Sequence, residues 1–579
     1  MTQPKKHLYI SAVLFVALWT YLIIRVLTVF VIHDEISTKW TFMVPWHYLP
    51  YHGLIDANNH FLNTLLGGLA IRLFNSDAMW VIRLPNLLMF PLYFWSIYGL
   101  KRFFRHPTYF YWLLLLLTCS PFLVEFFGMA RGYGISMALM MFAIQQTLVY
   151  ATEGRIRHAL IAAPIWALDV YANLTMIPMA LIGMAYLVVL MWKYRQRAWI
   201  ITLIVPLLLV GYAIKYALFL QEVGALYHGN QKGLIPTTFH SITPYIWLTA
   251  HPVLDGMLIL AGISALWIGG VRFLKERNLA DPGIAITILF LLSILNIYGQ
   301  NLLLGVNFPE DRSALYLVIS FFCALCFNLD QKNLKWPAYI SMAITAVIFL
   351  GTANFTKSIY YHFEHFDEEL LTMIPDQVEG IPPSVGGRYW MMDNEMSKVK
   401  HFPMRMCQEA IDPRDTLLDY IIMSRPHRPD IDEKYHAIHE DAISQLILFE
   451  RNRILPRVKI DERNLHVNGN GQYNDLYNEV VERPLYMRCS GVLNPMTIYK
   501  DVVVVFSIED NQTNEITSYQ PVALTQSVAI RDDGSLPFDF TFSLQEFEST
   551  NHLKVYLMNN HQDSIRGDIK LEIYEIPGR

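Results

Sequence analysis

Three short polar clusters border long apolar runs in this sequence. Asp34 and Glu35 follow the first run, Arg131 stands in Ala-Arg-Gly-Tyr-Gly, and Arg312 follows Pro-Glu-Asp before a late run. Ionisable groups at such boundaries are costly, so each is a functional candidate. A carboxylate shielded from water can act as a general base. A guanidinium binds phosphate through two parallel hydrogen bonds.

Each cluster also has a simpler interpretation. Asp34 and Glu35 could merely mark the end of the first helix, but acidic groups are unfavourable at a helix C-terminus, which favours a function. Arg131 could snorkel to lipid headgroups from a tight turn. Arg312 could pair with its acidic neighbours. Further polar residues, for most of which a surface or packing role is the simpler explanation, are Asp56, Asn59, His60, Glu125, Tyr133, His228, Lys232 and His240.

Apolar runs must position these clusters. The chain has 579 residues, of which 53% are hydrophobic and 16% charged, whereas soluble proteins have about 25% charged residues. No basic tract indicates nucleic-acid binding. The sequence predicts about eleven transmembrane helices of roughly 20 residues, at about 8–32, 84–104, 108–127, 134–152, 158–172, 175–192, 198–219, 252–271, 281–304, 312–328 and 336–354.

Charge alternation predicts the orientation of these helices. Basic residues concentrate in every second short loop, as in cytoplasmic loops, with the N-terminus inside. These basic residues are Lys5, Lys6, Lys101, Arg102, Arg105, Arg155, Arg157, Lys193, Arg195, Arg197, Arg272, Lys275, Arg277, Lys332 and Lys335. The first outer loop contains an apolar stretch at 58–74 with helical spacing, which predicts a helix on the membrane surface. The C-terminal region is then outside.

The sequence after the last apolar run predicts a folded extracytoplasmic region. We predict a transmembrane domain at 1–354, a small α/β domain at 355–474 and a β-sandwich at 475–579. In the α/β part, 387–392 and 417–423 indicate strands, and 433–450 indicates a helix that runs into a strand. Alternating apolar residues at 500–510, 538–544, 552–560 and 568–576 are typical of sandwich strands.

The outer face of the predicted membrane domain collects a carboxylate and two arginines. This combination suits an anionic lipid substrate whose phosphate lies at the interface. The carboxylate would deprotonate an acceptor hydroxyl, and the arginines would stabilise the phosphate leaving group. The sequence has no glycine-rich loop for a soluble nucleotide, so a lipid-linked donor is favoured.

At these residues the sequence resembles the GT-C superfamily of membrane glycosyltransferases, especially the branch of protein O-mannosyltransferases and aminoarabinose transferases. The shared motifs are Asp34-Glu35, the segment from Asn58 to Pro85 with Arg-Leu-Pro at its end, Arg-Gly-Tyr at 131–133 and Asp311-Arg312. The resemblance covers roughly residues 8–354 in layout. In place of the His-Pro-Pro segment of many relatives, this chain has Asn58-Asn59-His60-Phe61.

The resemblance implies an inverting transfer from a polyprenyl-phosphate sugar to an acceptor hydroxyl. It implies Asp34 as base, with Glu35 beside it. We predict substrate binding by Arg131, Tyr133, Arg312, His60 and Lys232. Some relatives need a divalent metal ion, so a metal stays open. The acceptor is a protein, lipid or polysaccharide, and the branch points to a bacterial inner membrane with a periplasmic C-terminal region.

Two other classes of function compete with a transferase. A transporter or flippase of an anionic glycolipid should show internal repeats and helices broken near the membrane midplane, and we find no convincing repeat. A non-catalytic protein of cell-surface glycan assembly would use the sandwich and would not need Asp34.

Overall fold

The computed structural model describes residues 3–196, 199–332, 335–387, 405–406, 417–424, 434–481, 485–513, 515–543 and 551–577. The chain divides into two compact units. The first comprises Met1–Val29 and Thr41–Tyr360, and the second comprises Phe30–Trp40 and Tyr361–Arg579. The predicted boundaries near 354 and 475 stay predictions. In this division a piece of the first loop, Phe30–Trp40, belongs to the same unit as the C-terminal part.

The first unit is helical. The helices of the chain, in order, are α1 Gln3–Thr28, α2 His33–Thr38, α3 Phe61–Phe74, α4 Met79–Gly99, α5 Pro107–Thr118, α6 Pro121–Glu125, α7 Gly132–Glu153, α8 Ile156–Ala172, α9 Ile177–Lys193, α10 Trp199–Glu222, α11 His240–Trp247, α12 Pro252–Glu276, α13 Pro282–Leu304, α14 Leu315–Asp330, α15 Lys335–Thr352, α16 Glu368–Thr372 and α17 Leu524–Ser527. Helices α2, α16 and α17 belong to the second unit.

Each of the predicted membrane segments overlaps one of these helices, with α5 and α6 together covering the third. Within the described part of the chain, seven helices are long and apolar enough to cross a membrane. The pair α5 and α6, bent by 53°, makes an eighth if it counts as one span. The chain is therefore a multi-pass membrane protein. The predicted number of eleven is not confirmed. Helices such as α8, which has 17 residues, are shorter than the helices that could cross a membrane by their length and composition.

Local chemistry sets many of the helix ends. Proline begins α5, α6, α12 and α13, where its missing N–H costs nothing. Glycine in a left-handed conformation ends α7 at Gly154 and α13 at Gly305. Helices α7 and α14 form the centre of the unit, because most residues of each helix are buried. The predicted surface helix is present as α3.

Loops with many basic residues meet at one end of the helical unit, which we call the basic end. Arg102 pairs with Glu153 at 2.5 Å, and both Arg105 and His106 donate backbone N–H groups to Asp330. Arg272 pairs with Asp281 at 2.5 Å. These are loops that the charge pattern assigns to one membrane face. Their contacts agree with that grouping, while the face itself stays a prediction.

The described part of the second unit contains three sheets. Its strands are β1 Val385–Gly387, β2 Arg405–Met406, β3 Tyr420–Ser424, β4 Tyr435–Glu440, β5 Leu446–Arg451, β6 Val458–Gly469, β7 Tyr473–Val481, β8 Leu485–Asn494, β9 Val502–Asp510, β10 Ile516–Ala523, β11 Leu536–Ser543, β12 Asn551–Asn559 and β13 Ile565–Glu575. A five-stranded mixed sheet has the order β2-β1-β3-β5-β4. Two antiparallel four-stranded sheets have the orders β10-β9-β12-β7 and β11-β8-β13-β6.

The predicted β-sandwich is confirmed. Phe506 of β9 stacks on Phe542 of β11 with ring centroids 4.0 Å apart, so the two four-stranded sheets pack face to face. Their first strand begins at Val458, ahead of the predicted boundary near 475. The predicted strand at 417–423 is present as β3. The predicted strand at 387–392 lies almost wholly outside the described residues.

The predicted helix within 433–450 is wrong. This stretch forms the antiparallel hairpin of β4 and β5. The Asp441 carboxylate accepts the backbone N–H groups of Ile443 at 2.7 Å and Ser444 at 3.2 Å, and Gln445 adopts a left-handed φ of 60°. This turn closes the hairpin. The aspartate side chain accepts the backbone N–H groups of the residues that follow it, which would otherwise need partners within a helix.

Candidate active site

A buried ion pair lies at the end of α1. Arg25 Nη2 is 2.9 Å from Glu125 Oε1, and the two side chains are 3% and 1% exposed. The 53° bend between α5 and α6 turns the end of α6 so that Glu125 reaches α1. A buried charge needs such a partner, since removal from water is expensive.

The same ion pair holds the chain that leaves α15. Arg25 donates to the carbonyl oxygen of Asn354 at 2.8 Å, and Ile359 donates its backbone N–H to Glu125 at 2.7 Å. Tyr360 then donates its hydroxyl to the Tyr245 carbonyl at 3.1 Å. The segment after the last predicted membrane helix is thereby fixed over the ends of α1 and α6.

An aromatic cluster lies beside this segment. The Tyr245 ring stacks on Phe122 at 4.4 Å, and Tyr360 packs edge-on against Tyr245 at 4.5 Å. Phe126 continues the row, at 5.7 Å from Phe122 and 4.9 Å from Tyr133. We call this end of the helical unit the aromatic end. It is opposite the basic end, because Tyr133 and Glu153 lie at the two ends of α7.

Arg131, Tyr133 and His60 lie close together in the structure. Arg131 donates to Asn58 Oδ1 at 2.5 Å, and the His60 ring packs edge-on against Tyr133 at 4.9 Å. His60 Nδ1 lies 3.0 Å from the carbonyl oxygen of Ala172. Arg131 is only 1% exposed. Its guanidinium therefore holds the first loop in place and presents little surface to a ligand.

Gly132 makes this close packing feasible. A Cβ atom at this position would lie 2.1 Å from the Ala172 carbonyl oxygen and 2.7 Å from His60 Cβ. The start of α7 can therefore approach α8 and the first loop only if residue 132 lacks a side chain. This is a physical reason for the Arg-Gly-Tyr sequence.

Arg312 is half-buried on a short turn before α14. The Ser313 hydroxyl accepts the Glu310 N–H at 2.8 Å, and the Ser241 hydroxyl accepts the Asp311 N–H at 2.9 Å. Asp311 adopts a left-handed φ of 48° and shares a hydrogen bond with the Tyr245 hydroxyl. Arg312 thus lies next to the aromatic cluster and is more accessible than Arg131.

An apolar cavity of about 160 Å³ begins beside the aromatic cluster. Its lining includes Ser120, Trp247, Ala261, Phe321 and Thr345, which come from or adjoin five different helices. A smaller cavity of about 30 Å³ shares part of this lining and lies between α11, α12, α13 and α14. This part of the helical unit is therefore apolar and incompletely filled by side chains.

Asp34 and Glu35 belong to the second unit. Helix α1 ends at Thr28, and the two carboxylates lie in the first turn of α2. The sequence argument that they occupy an unfavourable helix C-terminus is therefore wrong, since negative charge is favourable at a helix N-terminus. Glu35 is buried and accepts the Ile32 N–H at 3.3 Å. Asp34 is more exposed than Glu35.

The other candidates are less informative. Lys232 is exposed on the loop whose Asn230 pairs with Phe308, four residues before Arg312. His240 pairs with Asp255 at 2.9 Å. His228 is exposed, Asp56 accepts the Asn58 N–H at 2.8 Å, and Asn59 donates to the His47 carbonyl. These contacts are compatible with the simpler structural roles.

Sequence reasoning missed Arg25, Tyr245 and Tyr360 and gave Glu125 too little weight. An arginine inside the apolar run of the first segment was a usable signal, because an ionisable group at membrane depth needs a partner. The two tyrosines carry no such signal in sequence. Asp169 in α8 is also fully buried, with neither carboxylate oxygen hydrogen-bonded to any part of the chain that the structure describes.

The chain is similar to three solved structures. It matches the arabinosyltransferase EmbB from Mycobacterium smegmatis at 10% identity and a TM-score of 0.39, over 97% of this chain and 64% of EmbB. It matches apo ArnT from Cupriavidus metallidurans at 10% identity and a TM-score of 0.43, over 78% of this chain and 99% of ArnT. It matches ArnT bound to undecaprenyl phosphate at 12% identity and a TM-score of 0.36, over 60% and 64%.

At these identities and TM-scores the matches carry no argument about the superfamily that the sequence motifs indicate. The chain spans less than two thirds of the length of EmbB. TM-scores below 0.5 transfer no residue roles to this chain. No protein-family model and no curated protein matches it.

Proposed function

We propose that this protein transfers a sugar from a polyprenyl-phosphate donor to an acceptor hydroxyl, with inversion at the anomeric carbon. The observation that carries the proposal is the apolar cavity beside the aromatic cluster. The turn that carries Arg312 contacts the same cluster through the hydrogen bond between Asp311 and Tyr245. A polyprenyl chain needs an apolar channel that opens to lipid, and its phosphate needs a cation at the channel's polar end. The apolar lining of the cavity and the half-buried Arg312 on the turn before α14 support the proposal.

In the proposed reaction Asp34 accepts the proton of the acceptor hydroxyl. The hydroxyl oxygen then forms a bond to the anomeric carbon, while the bond from that carbon to the phosphate oxygen breaks. Polyprenyl phosphate leaves with both electrons of that bond, and Arg312 stabilises its growing negative charge. A single displacement of this kind inverts the anomeric configuration.

The remaining predicted residues have supporting roles in this proposal. Arg131, His60 and Tyr133 hold the first loop against the start of α7, and Lys232 offers a second cation on the loop that pairs with Phe308. Glu35 caps α2 and orients Asp34. We propose a bacterial inner membrane as the location, with the second unit in the periplasm.

Replacement of the base tests the proposal. Asp34→Asn should abolish transfer, because an amide cannot accept the proton, while donor binding is retained. Glycolipids and glycans of cells producing each variant would be compared by mass spectrometry, with accumulation of the sugar donor and loss of the product expected. Glu222→Gln, an exposed carboxylate at the end of α10, is the matched control and should behave as wild type.

The outcome also separates the rival functions. A flippase would lose lipid translocation without a change in any glycosidic bond. A non-catalytic assembly protein would tolerate Asp34→Asn. Product formation at the wild-type rate by this variant would therefore refute the proposed role of Asp34.

A further inference from the structure

A cluster of metal-binding donors lies in the second unit, outside the residues discussed so far. One ligand atom each of Asp367, Glu369 and His439 lies within 4.8 Å of the others. Asp367 is the N-cap of α16, Glu369 lies in its first turn, and His439 is on β4. Two carboxylates and an imidazole from two distant parts of the chain thus converge on one point.

The separation of the donors fits a shared ion. Asp367 Oδ2 and His439 Nε2 are 3.2 Å apart. Two ligands of a tetrahedral Zn²⁺ ion, each at about 2.0–2.1 Å from the metal, are separated by roughly 3.4 Å. The Asp367 side chain is already oriented, because its other oxygen accepts the Glu369 N–H at 3.0 Å. Oδ2 is therefore the oxygen directed at the histidine.

Neighbouring contacts support the two segments that carry the donors. His365 Nδ1 lies 2.8 Å from Asp441 Oδ2, and both side chains are largely buried. His365 is two residues before Asp367, and Asp441 is two residues after His439. This second contact fixes the segment before α16 against the β4–β5 hairpin, so the three donors are held in place by their surroundings.

We propose that Asp367, Glu369 and His439 form a site for a divalent transition-metal ion of the Zn²⁺ type. An imidazole nitrogen excludes a site designed for Ca²⁺ or Mg²⁺, which take oxygen ligands. Three protein ligands with Glu369 exposed leave a coordination position for water. The proposal does not depend on the proposed transferase function.

The site would also stabilise the segment that contains Asp34. His33 donates its backbone N–H to Glu364 at 2.6 Å, and the Phe30 ring stacks on Phe366 at 6.1 Å. These contacts attach the Phe30–Trp40 segment to the residues just before Asp367. A metal ion that joins Asp367 to β4 would therefore restrict the movement of the first loop.

Metal titration of the full-length protein in detergent tests this site. After treatment with EDTA and removal of the chelator, Zn²⁺ would be titrated in competition with a chromophoric chelator. Wild-type protein should bind one equivalent. Asp367→Asn and His439→Ala should each weaken binding by at least about tenfold, and Zn²⁺ should raise the Tm of the wild type but not of these variants.

His436→Ala is the matched control, because His436 lies on the same strand, is exposed and contacts Asn452. It should bind Zn²⁺ as the wild type does. If Asp367→Asn or His439→Ala fails to fold, Glu369→Gln decides, since this exposed side chain supports no packing. Failure of the wild type to bind one equivalent of Zn²⁺, or unchanged binding by Glu369→Gln, overturns the proposal. Preferential binding of Ca²⁺ overturns the assigned metal class.

Discussion

The two ends of the helical unit treat their charges differently. At the basic end, Arg102 and Glu153 form a pair with side chains 51% and 21% exposed. At the aromatic end, the Arg25 and Glu125 side chains are 3% and 1% exposed, and the Arg25 guanidinium lies over the Tyr21 ring. Exposed ion pairs contribute little to stability. A buried ion pair loses its hydration and needs close partners that replace it. The difference predicts that loss of the pair at the aromatic end costs more stability than loss of the pair at the basic end.

The largest expected effect comes from breaking the buried pair. Glu125→Ala leaves the Arg25 charge buried without its carboxylate and releases Ile359, which should cost about 3–5 kcal/mol of unfolding free energy. Glu153→Ala at the basic end should cost no more than about 1 kcal/mol. Denaturation of both variants in detergent measures the difference. Equal losses would contradict the proposed contrast between the ends.

Removal of an accessible cation at the aromatic end should weaken donor binding. Arg312→Ala should lose hydrogen bonds to phosphate worth about 1.5–3 kcal/mol, which is roughly a 10–150-fold loss of affinity. Arg131→Ala should also weaken binding, through release of Asn58, and Arg131→Lys should restore only part of it.

Arg155→Ala is the control for both arginine variants, since its side chain is 64% exposed at the basic end. Binding of polyprenyl phosphate in nanodiscs is the measurement. An affinity lowered equally by Arg155→Ala would indicate general charge attraction instead of a phosphate site.

Filling the apolar cavity should have a smaller effect on the same measurement. Ala261→Phe places a ring in the space beside Phe321 and should weaken polyprenyl-phosphate binding by about 1–3 kcal/mol. Ile263→Phe on the same helix is the matched control, because Ile263 is 58% exposed on the outside of the unit. If the two variants bind equally well, the lipid chain does not use this cavity.

Replacement of Gly132 by alanine tests the close approach of the start of α7 to α8 and the first loop. Gly132→Ala should destabilise the protein by about 1–3 kcal/mol, because its Cβ would overlap the Ala172 carbonyl oxygen. Gly211→Ala in α10 meets nothing within 4 Å and should be neutral or stabilising, since alanine favours helix. Thermal unfolding of the two variants decides, and an unaffected Gly132→Ala would show that the first loop adapts easily.

Much of the fold follows from local sequence patterns. Apolar runs place the helices, because each must bury or present an apolar surface along its whole length. Alternation places strands such as β9 and β12 in the same way. The predicted helix within 433–450 is wrong for two reasons. The short apolar run Leu446–Phe449 is compatible with the period of a helix and with that of a strand. The turn at Asp441 was also not recognised in the sequence.

Some residues of the candidate site could be predicted from the sequence, and others are evident only in the structure. Arg131, His60 and Tyr133 could be found from sequence because unusual residues border apolar runs, and the structure brings these three together. Tyr245 and Tyr360 could not, since a tyrosine near a membrane surface is ordinary and only packing places the two rings together. The environment of Asp34 was also misjudged, because the end of α1 at Thr28 and the start of α2 depend on contacts with residues such as Glu364.

The sequence by itself therefore determined the membrane class, the grouping of the loops and the polar residues at their borders. These properties depend on the cost of placing each residue in lipid or water, which is local. Only the tertiary structure decided that Glu125 pairs with Arg25, that the cavity opens beside Tyr245, and that Asp367 meets His439. Such contacts join residues far apart in the chain, and their distances depend on how whole helices and sheets pack.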